Sequence, residues 1–442
     1  FSDFIPSGIQ FELLANPIFI AIIILLLLTV TFLSGFYPAL ILSRFNTVTV
    51  LKNKNVNGSD NSTLRKYLTV FQFVIAQIFI IATLIVGKQL NFLMSKDMGF
   101  KTEANVFIRA WQNEDLSKRM NFVDAIRTIP DVDIISLAND PPASGNSNST
   151  IATFIRDGEE INTDLQQLFG DLNYLKLYGI ELLAGRDRLN DTIQEYVINK
   201  TCAEVLGFQT PQDAIGEYLD FGEEGKYPIV GVMEDFHQRT LRSNIQPMAL
   251  IGDINRDFYA QFNTIHFSLK GEGTSHWPDA LAKIEKAWKS VYPDDDFETH
   301  FLDDTIKQFY EQERKTAVLL KWATGLAILI SCLGLLGLVI HTTERRIKEI
   351  GIRKVLGASV GNLSLLLSKE FLLLVGIAFG IAAPIAWYGM NNWLQDFAYK
   401  TELSWWVFVL SGGAMLLIAL IIISIRTIAA ANANPVKSLR TE

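Results

Sequence analysis

The sequence predicts an α-helical transmembrane protein with an inserted α+β extracytoplasmic domain, and long stalk helices continuous with transmembrane helices. Three observations predict it. The chain has 442 residues and is 49% hydrophobic, with the apolar residues gathered in runs rather than spread. Each such run is about the 20 residues that a bilayer-crossing helix needs. Between two of them lies a long stretch of soluble character, residues 91–314. From about Asp303 to Arg346 there is no proline and the first glycine is Gly325, which reads as one unbroken helix of some 35–40 residues or more, roughly 55 Å long.

In chain order, the first span is read at 18–42 and includes AIIILLLLTV. Residues 44–66 follow, with Arg44, Lys52, Lys54, Arg65 and Lys66 against Asp60. Basic enrichment in a short loop marks the cytoplasmic side. Within it 53–66 is a linker, polar and Asn-rich. The second span is 67–90. Gln72 and Gln77 inside it are expected to bond neighbouring helices rather than cargo, and Lys88 to snorkel at the outer interface.

An odd number of spans then places 91–314 outside the cytoplasm. NVFIRA (105–110), DLSKRMNFVDAIRTI (115–129) and VDIISLA (132–138) read as strand, helix and strand, as do TIHFSLK, PDALAKIEKAWKSVY and FETHFL between 264 and 302. Two β-α-β units thus flank a β-rich insert at about 140–255. PPASGNSNST (141–150) reads as an exposed loop. Glu234, Asp235 and His237 suggest a metal or acid–base cluster, but a single histidine in an acidic turn after a strand is more often structural. No HExxH, P-loop or Ser/His/Asp arrangement is visible. Cys202 and Cys332 fall in unlike regions and have no metal-type spacing.

The region 315–442 holds three more spans, at about 316–341, 363–388 and 405–425. Ser331, Gly334 and Gly337 suit close helix packing, as does Gly376-xxx-Gly380, and Pro384 suggests a kink. Glu370 is expected at an interface, paired with Lys369 or a neighbouring helix. Trp387, Trp393, Trp405 and Trp406 bracket the loop 389–404 like an aromatic belt. Arg426, Lys437 and Arg440 make the tail cytoplasmic. A net charge of −8 suggests no nucleic-acid partner.

The most charged stretch of this oily region is ERRIKEIGIRKVLGAS, Glu344–Ser359. Glu344 and Lys348, Arg345 and Glu349, and Glu349 and Arg353 are spaced i,i+4 and can pair along one helix. Ile347, Ile350 and Val355 lie near one face, Gly357 can end the helix, and Ser359 can cap the next. A solvated loop helix carrying topogenic charge and a docking helix for a cytoplasmic protein both fit these residues.

This segment closely resembles the signature of FtsX-like permeases, the membrane subunits of MacB-type ABC transporters. LMSKDMGF (93–100), YGIELLAGRD (178–187), VINKTCAEVLGF (197–208) and IVGVMEDFHQRTLRSNIQP (229–247) resemble, in order and spacing, the extracytoplasmic core domain of that family. The resemblance implies a non-catalytic permease in the inner membrane, multi-pass, with its large domain on the periplasmic side. It implies no cofactor on this chain, ATP being bound by a cytoplasmic ABC ATPase subunit. That subunit would dock on Glu344, Arg345, Arg346, Lys348, Glu349, Gly351, Arg353, Lys354 and Gly357. The partners would be the ATPase, the lipid bilayer and, left open, an outer-membrane or periplasmic protein. A membrane-anchored sensor signalling to another cytoplasmic partner is the alternative.

The chain opens on Phe1. FSDF (1–4) resembles LQDF (394–397), and NTVTVLK (46–52) resembles NPVKSLR (434–440). Residues 1–52 therefore read as the end of a first permease unit in a longer chain, whose missing half would carry a second docking helix.

Overall fold

The computed structural model describes residues 17–43, 59–109, 116–145, 148–156, 158–191, 193–252, 262–271, 277–346, 349, 352–353, 356 and 360–431. They fall into two compact units. One comprises Phe1–Thr83, Val318–Trp387 and Ser404–Glu442; the other comprises Leu84–Ala317 and Tyr388–Leu403. The repeat segments 1–4, 46–52 and 434–440 lie outside the described residues.

Apolar runs with internally satisfied backbone give the first unit its helices. Among the described residues, four helices are long and apolar enough to cross a membrane: Thr63–Ser95, Glu311–Glu344, Ser368–Gln395 and Trp405–Thr427. A further helix, Pro17–Ser43, is apolar over Phe19–Phe32. The bundle core gathers Phe73, Leu335, Val339, Phe371, Val375 and Met415. Small and polar residues bring the helices together. Ser331 Oγ donates to Gln72 O at 3.0 Å, and Thr83 and Thr324 share a 2.7 Å hydroxyl bond. A Cβ on Gly334 would overlap the Gln72 carboxamide, so glycine there makes room for a polar side chain. The Gly376/Gly380 pair, by contrast, faces no neighbour within 4 Å; the close approach occurs instead at Gly412, against the Phe379 ring. Pro384 lies inside the helix Val360–Gln395.

The second unit contains two sheets. Strands Asn105–Arg109 (β1) and Val132–Ala138 (β2) join Thr264–Leu269 (β10) and His300–Phe301 (β11) in one antiparallel sheet of order β11-β1-β10-β2. With the helices Leu116–Arg127 and Trp277–Val291, this is the split β-α-β topology of ferredoxin-like folds. The two β-α-β units thus share one sheet. On Trp277–Val291 the buried residues Ala280, Ile284 and Trp288 recur every fourth position and cover the sheet with Phe122 and Tyr292.

Between β2 and β10 the chain builds seven more strands: Asn148–Arg156 (β3), Glu159–Phe169 (β4), Leu182–Gly185 (β5), Tyr196–Asn199 (β6), Tyr218–Asp220 (β7), Lys226–Met233 (β8) and Met248–Ile251 (β9). Their order is β5-β8-β6-β9-β4-β3-β7, and β7 also pairs with β8, so six of them close on themselves around Leu165, Ile198, Leu219 and Val232.

Two expectations are overturned. The long helix is broken: Leu302–Phe309 ends at Tyr310 (φ −106°, ψ 14°), and a separate helix runs Glu311–Arg345. The Tyr310 ring is buried and its hydroxyl accepts from the Leu241 amide at 3.0 Å, so tertiary anchoring wins over local helix propensity. The segment at 141–145 is not an exposed loop. Ala143 and Ser144 are buried, and the Ser144 amide donates to Gln238 O. Its small residues let it pass under the core, while 148–150 begin β3.

Asp191 sits half-buried beside Arg188 and Asp171. Burial, then the Asp171 charge, pushes its pKa up to about 6. A raised carboxyl pKa means the fold prefers the protonated form, so stability falls as pH rises from 3.8 through about 6. Asp191→Asn is expected to raise the thermal midpoint above that window and leave it unchanged below, as read by thermal unfolding of the purified chain.

Candidate functional site

Two assemblies merit description, one in each unit. In the first, the charged segment leaves the helix Glu311–Arg345. Glu344 and Arg345 are its last residues. Arg346 forms a turn, its amide donating to Thr342 O and Thr343 O at 3.2 Å each. Further on, Arg353 Nη2 meets Glu349 Oε1 at 2.7 Å and the Leu356 amide donates to Ile352 O at 3.0 Å. Both are i,i+4 contacts, so this stretch is helical where it is described. Ile352 and Leu356, 53% and 80% exposed, lie one turn apart as an apolar pair that the sequence reading did not single out. Lys348, Gly351, Lys354 and Gly357, with Ile347, Ile350 and Val355, lie outside the described residues, as does the Arg345 side chain.

Glu370, nearly three turns into the helix Val360–Gln395, receives two cations. Lys66 Nζ, from the helix Ser59–Ser95, binds Oε1, and Arg346 Nη2 binds Oε2 at 3.0 Å. Neighbouring segments, not Lys369, supply the partners. One partly buried carboxylate therefore ties three stretches of chain together, one of them the start of the charged segment.

In the second unit the four recurrent motifs converge on the loop 234–247. The His237 amide donates to Met98 O at 2.8 Å, and the Glu234 amide to Glu181 O at 2.8 Å. Asp235 accepts from the Thr201 amide (2.9 Å) and hydroxyl (2.7 Å), so its carboxylate caps the helix Lys200–Val205. Asn199 accepts from Cys202 N and Met248 N and donates to Gln246 O. Gly99 adopts φ +86°, and a Cβ there would lie 2.7 Å from Asp235 O, so the approach requires glycine. Phe100 packs edge-on against Phe236 and Tyr178.

The same loop grips the ends of the long helices. The Ala398 amide donates to Arg242 O (3.0 Å) and the Tyr399 amide to Leu241 O (3.2 Å). Gln89, fully buried, donates to Tyr399 O at 2.9 Å and accepts from Thr401 N at 2.8 Å. Lys88 Nζ donates to Glu402 O at 2.9 Å rather than simply reaching for an interface. Arg242 pairs with the buried Glu313 at 2.5 Å and lies over the Phe397 ring. Trp393 packs on Phe397 within this core, while Trp387, Trp405 and Trp406 are exposed.

His237 lies edge-on to Tyr399, whose ring also carries Lys96 Nζ at 3.8 Å. Burial first, then the Lys96 charge, pushes the His237 pKa down to about 4, against the opposite pull of Asp235 and Asp97. A neutral imidazole beside a carboxylate already spent on a helix cap is a packing arrangement. Among the described residues no group of three His, Cys, Asp or Glu is placed to hold a metal ion.

These features define a chain with four helices of membrane-spanning length among the described residues and an α+β unit whose segments meet at the loop 234–247. The FtsX-like permease C-terminal model matches residues 323–435 and the MacB-like periplasmic core domain model matches 67–286. The chain belongs to the MacB/FtsX-like family of ABC transporter permeases. The macrolide export ATP-binding/permease protein MacB of Escherichia coli is 21% identical over 338 residues, 72% of this chain and 50% of the relative. The protein of that name from Campylobacter jejuni subsp. jejuni serotype O:2 is 23% identical over 254 residues, 51% of this chain and 36% of the relative. The chain thus spans half or less of the length of these curated relatives. Among solved structures, the extracellular domain of the ABC-type transporter YknZ from Gram-positive bacteria is 11% identical with a TM-score of 0.29, covering 42% of this chain and 94% of its own.

Sequence reasoning missed Lys66, Gln89, Arg242, Tyr310 and Tyr399 as structural keys. Gln89 carried a signal, a buried-type amide at the end of an apolar run. Tyr310 carried none.

Two outcomes are expected. Gly99→Ala costs at least about 1–3 kcal/mol, because the new methyl meets rigid backbone; the lowered thermal midpoint comes with faster amide exchange over 234–247. A histidine held neutral stabilises the fold fully above 6.5, and that contribution is lost as pH falls towards about 4. His237→Gln therefore loses less stability than the parent chain across that window.

Proposed function

We propose that this chain is the permease part of an ABC transporter in which ATP hydrolysis on a separate cytoplasmic ATPase subunit moves the outer domain. The ATPase docks on Glu344, Arg345, Arg346, Lys348, Glu349, Gly351, Arg353, Lys354 and Gly357. The observation that carries this reading is the placement of a charged, partly helical segment between two apolar helices of membrane-spanning length, Glu311–Glu344 and Ser368–Gln395. A segment with such charge belongs in water or against a soluble partner.

The helix Glu311–Arg345 has 35 residues and reaches ~52 Å at 1.5 Å per residue. It serves as a stalk continuous with a transmembrane span. Its first turns carry Glu313, gripped by Arg242, and Tyr310 just before it is bonded to Leu241. A push on the cytoplasmic end therefore reaches the loop 234–247, and through it the outer domain. The chain acts by mechanotransmission rather than by conducting cargo through a pore. It lies in the inner membrane, with 91–314 on the periplasmic side and 18–42 as a further span.

The test is copurification from cells. Full-length protein is expected to bring down an ABC ATPase, and Glu349→Ala combined with Arg353→Ala to reduce that recovery at least tenfold. Undiminished ATPase recovery by the double variant would remove the docking assignment.

A further inference from the structure

Glu370 lies outside the docking residues, yet it is where the charged segment meets the bundle. Its two carboxylate oxygens are used separately, one by Lys66 and one by Arg346. The side chain is 28% exposed, and those of Lys66 and Arg346 are 38% and 40% exposed. The three groups are therefore partly withdrawn from water, where ion pairs are screened less than on an open surface. Lys66 stands on the helix Ser59–Ser95 at the start of its span. Arg346 is the first residue past the helix Glu311–Arg345, and its backbone is already fixed by Thr342 and Thr343.

Without the carboxylate, two cations face one site with nothing between them. Like charges then push Arg346, and the segment that begins with it, away from Lys66. Among the described residues of 346–356, the other ion pair, Glu349–Arg353, is internal to the segment. We propose that Glu370 is a positioning residue that fixes the direction in which the docking segment leaves the bundle, by holding Arg346 and Lys66 on a single carboxylate. The proposal rests on the docking reading for its purpose, and not for its geometry.

The geometry is tested with no ATPase present. Spin labels are placed at Ile352→Cys and Tyr67→Cys, both exposed positions, in full-length protein in lipid nanodiscs with Cys202 and Cys332 replaced by alanine. The distance distribution between them is measured by pulsed electron resonance. It is expected to be narrow with Glu370 and at least twice as wide with Glu370→Gln. Arg346→Gln, which leaves the Lys66 tie intact, is expected to widen it as much, and Lys66→Gln to widen it less. Equal widths for the parent, Glu370→Gln and Arg346→Gln overturn the proposal, as does widening by Lys66→Gln alone. Loss of ATPase copurification by the parent chain, scored separately, bears on the docking reading only.

Discussion

The loop 234–247 is the part on which the soluble unit depends most. Its main chain supplies partners in three directions: to Met98 and Glu181, to the loop after Val360–Gln395, and to Tyr310. Buried backbone groups must be paired, and here each pairing also joins two distant parts of the chain. The loop keeps its shape because Asp235 and Asn199 both hold it to the N-terminus of the helix Lys200–Val205, and because Gly99 lets Phe236 approach.

The two ion-pair systems have different characters. Arg242 reaches from an exposed position to Glu313, 9% exposed, so the cation meets a carboxylate largely withdrawn from water. Glu370 reverses the ratio, with one anion between two cations in a half-exposed setting. The first is a lock on a buried charge. The second holds two like charges together on one carboxylate.

Much of the fold was legible because period and composition carry it. The apolar runs, the β1–β2 and β10 strands and the amphipathic helix Trp277–Val291 all follow from residues at fixed spacing. The break at Tyr310 was not legible, since nothing local opposes a helix there and the cause is Leu241, far along the chain. The buried passage at 141–145 misled because Pro, Ser and Gly signal turns regardless of whether water reaches them. The Gly376/Gly380 spacing misled in the same way, since small residues permit a close approach without requiring one. Of the residues proposed for docking, the Glu349–Arg353 pair followed from helical spacing, whereas Lys66 was read only as topological charge although it serves Glu370.

The turn at 398–401 is held almost wholly through its main chain: Ala398 N, Tyr399 N and O, and Thr401 N. Apart from the Tyr399 ring, which packs on His237 and Lys96, these bonds depend on residue number rather than on side-chain identity. A single insertion or deletion would shift every bond by one place. The number of residues in this turn is therefore as much a structural constraint as any side chain in it.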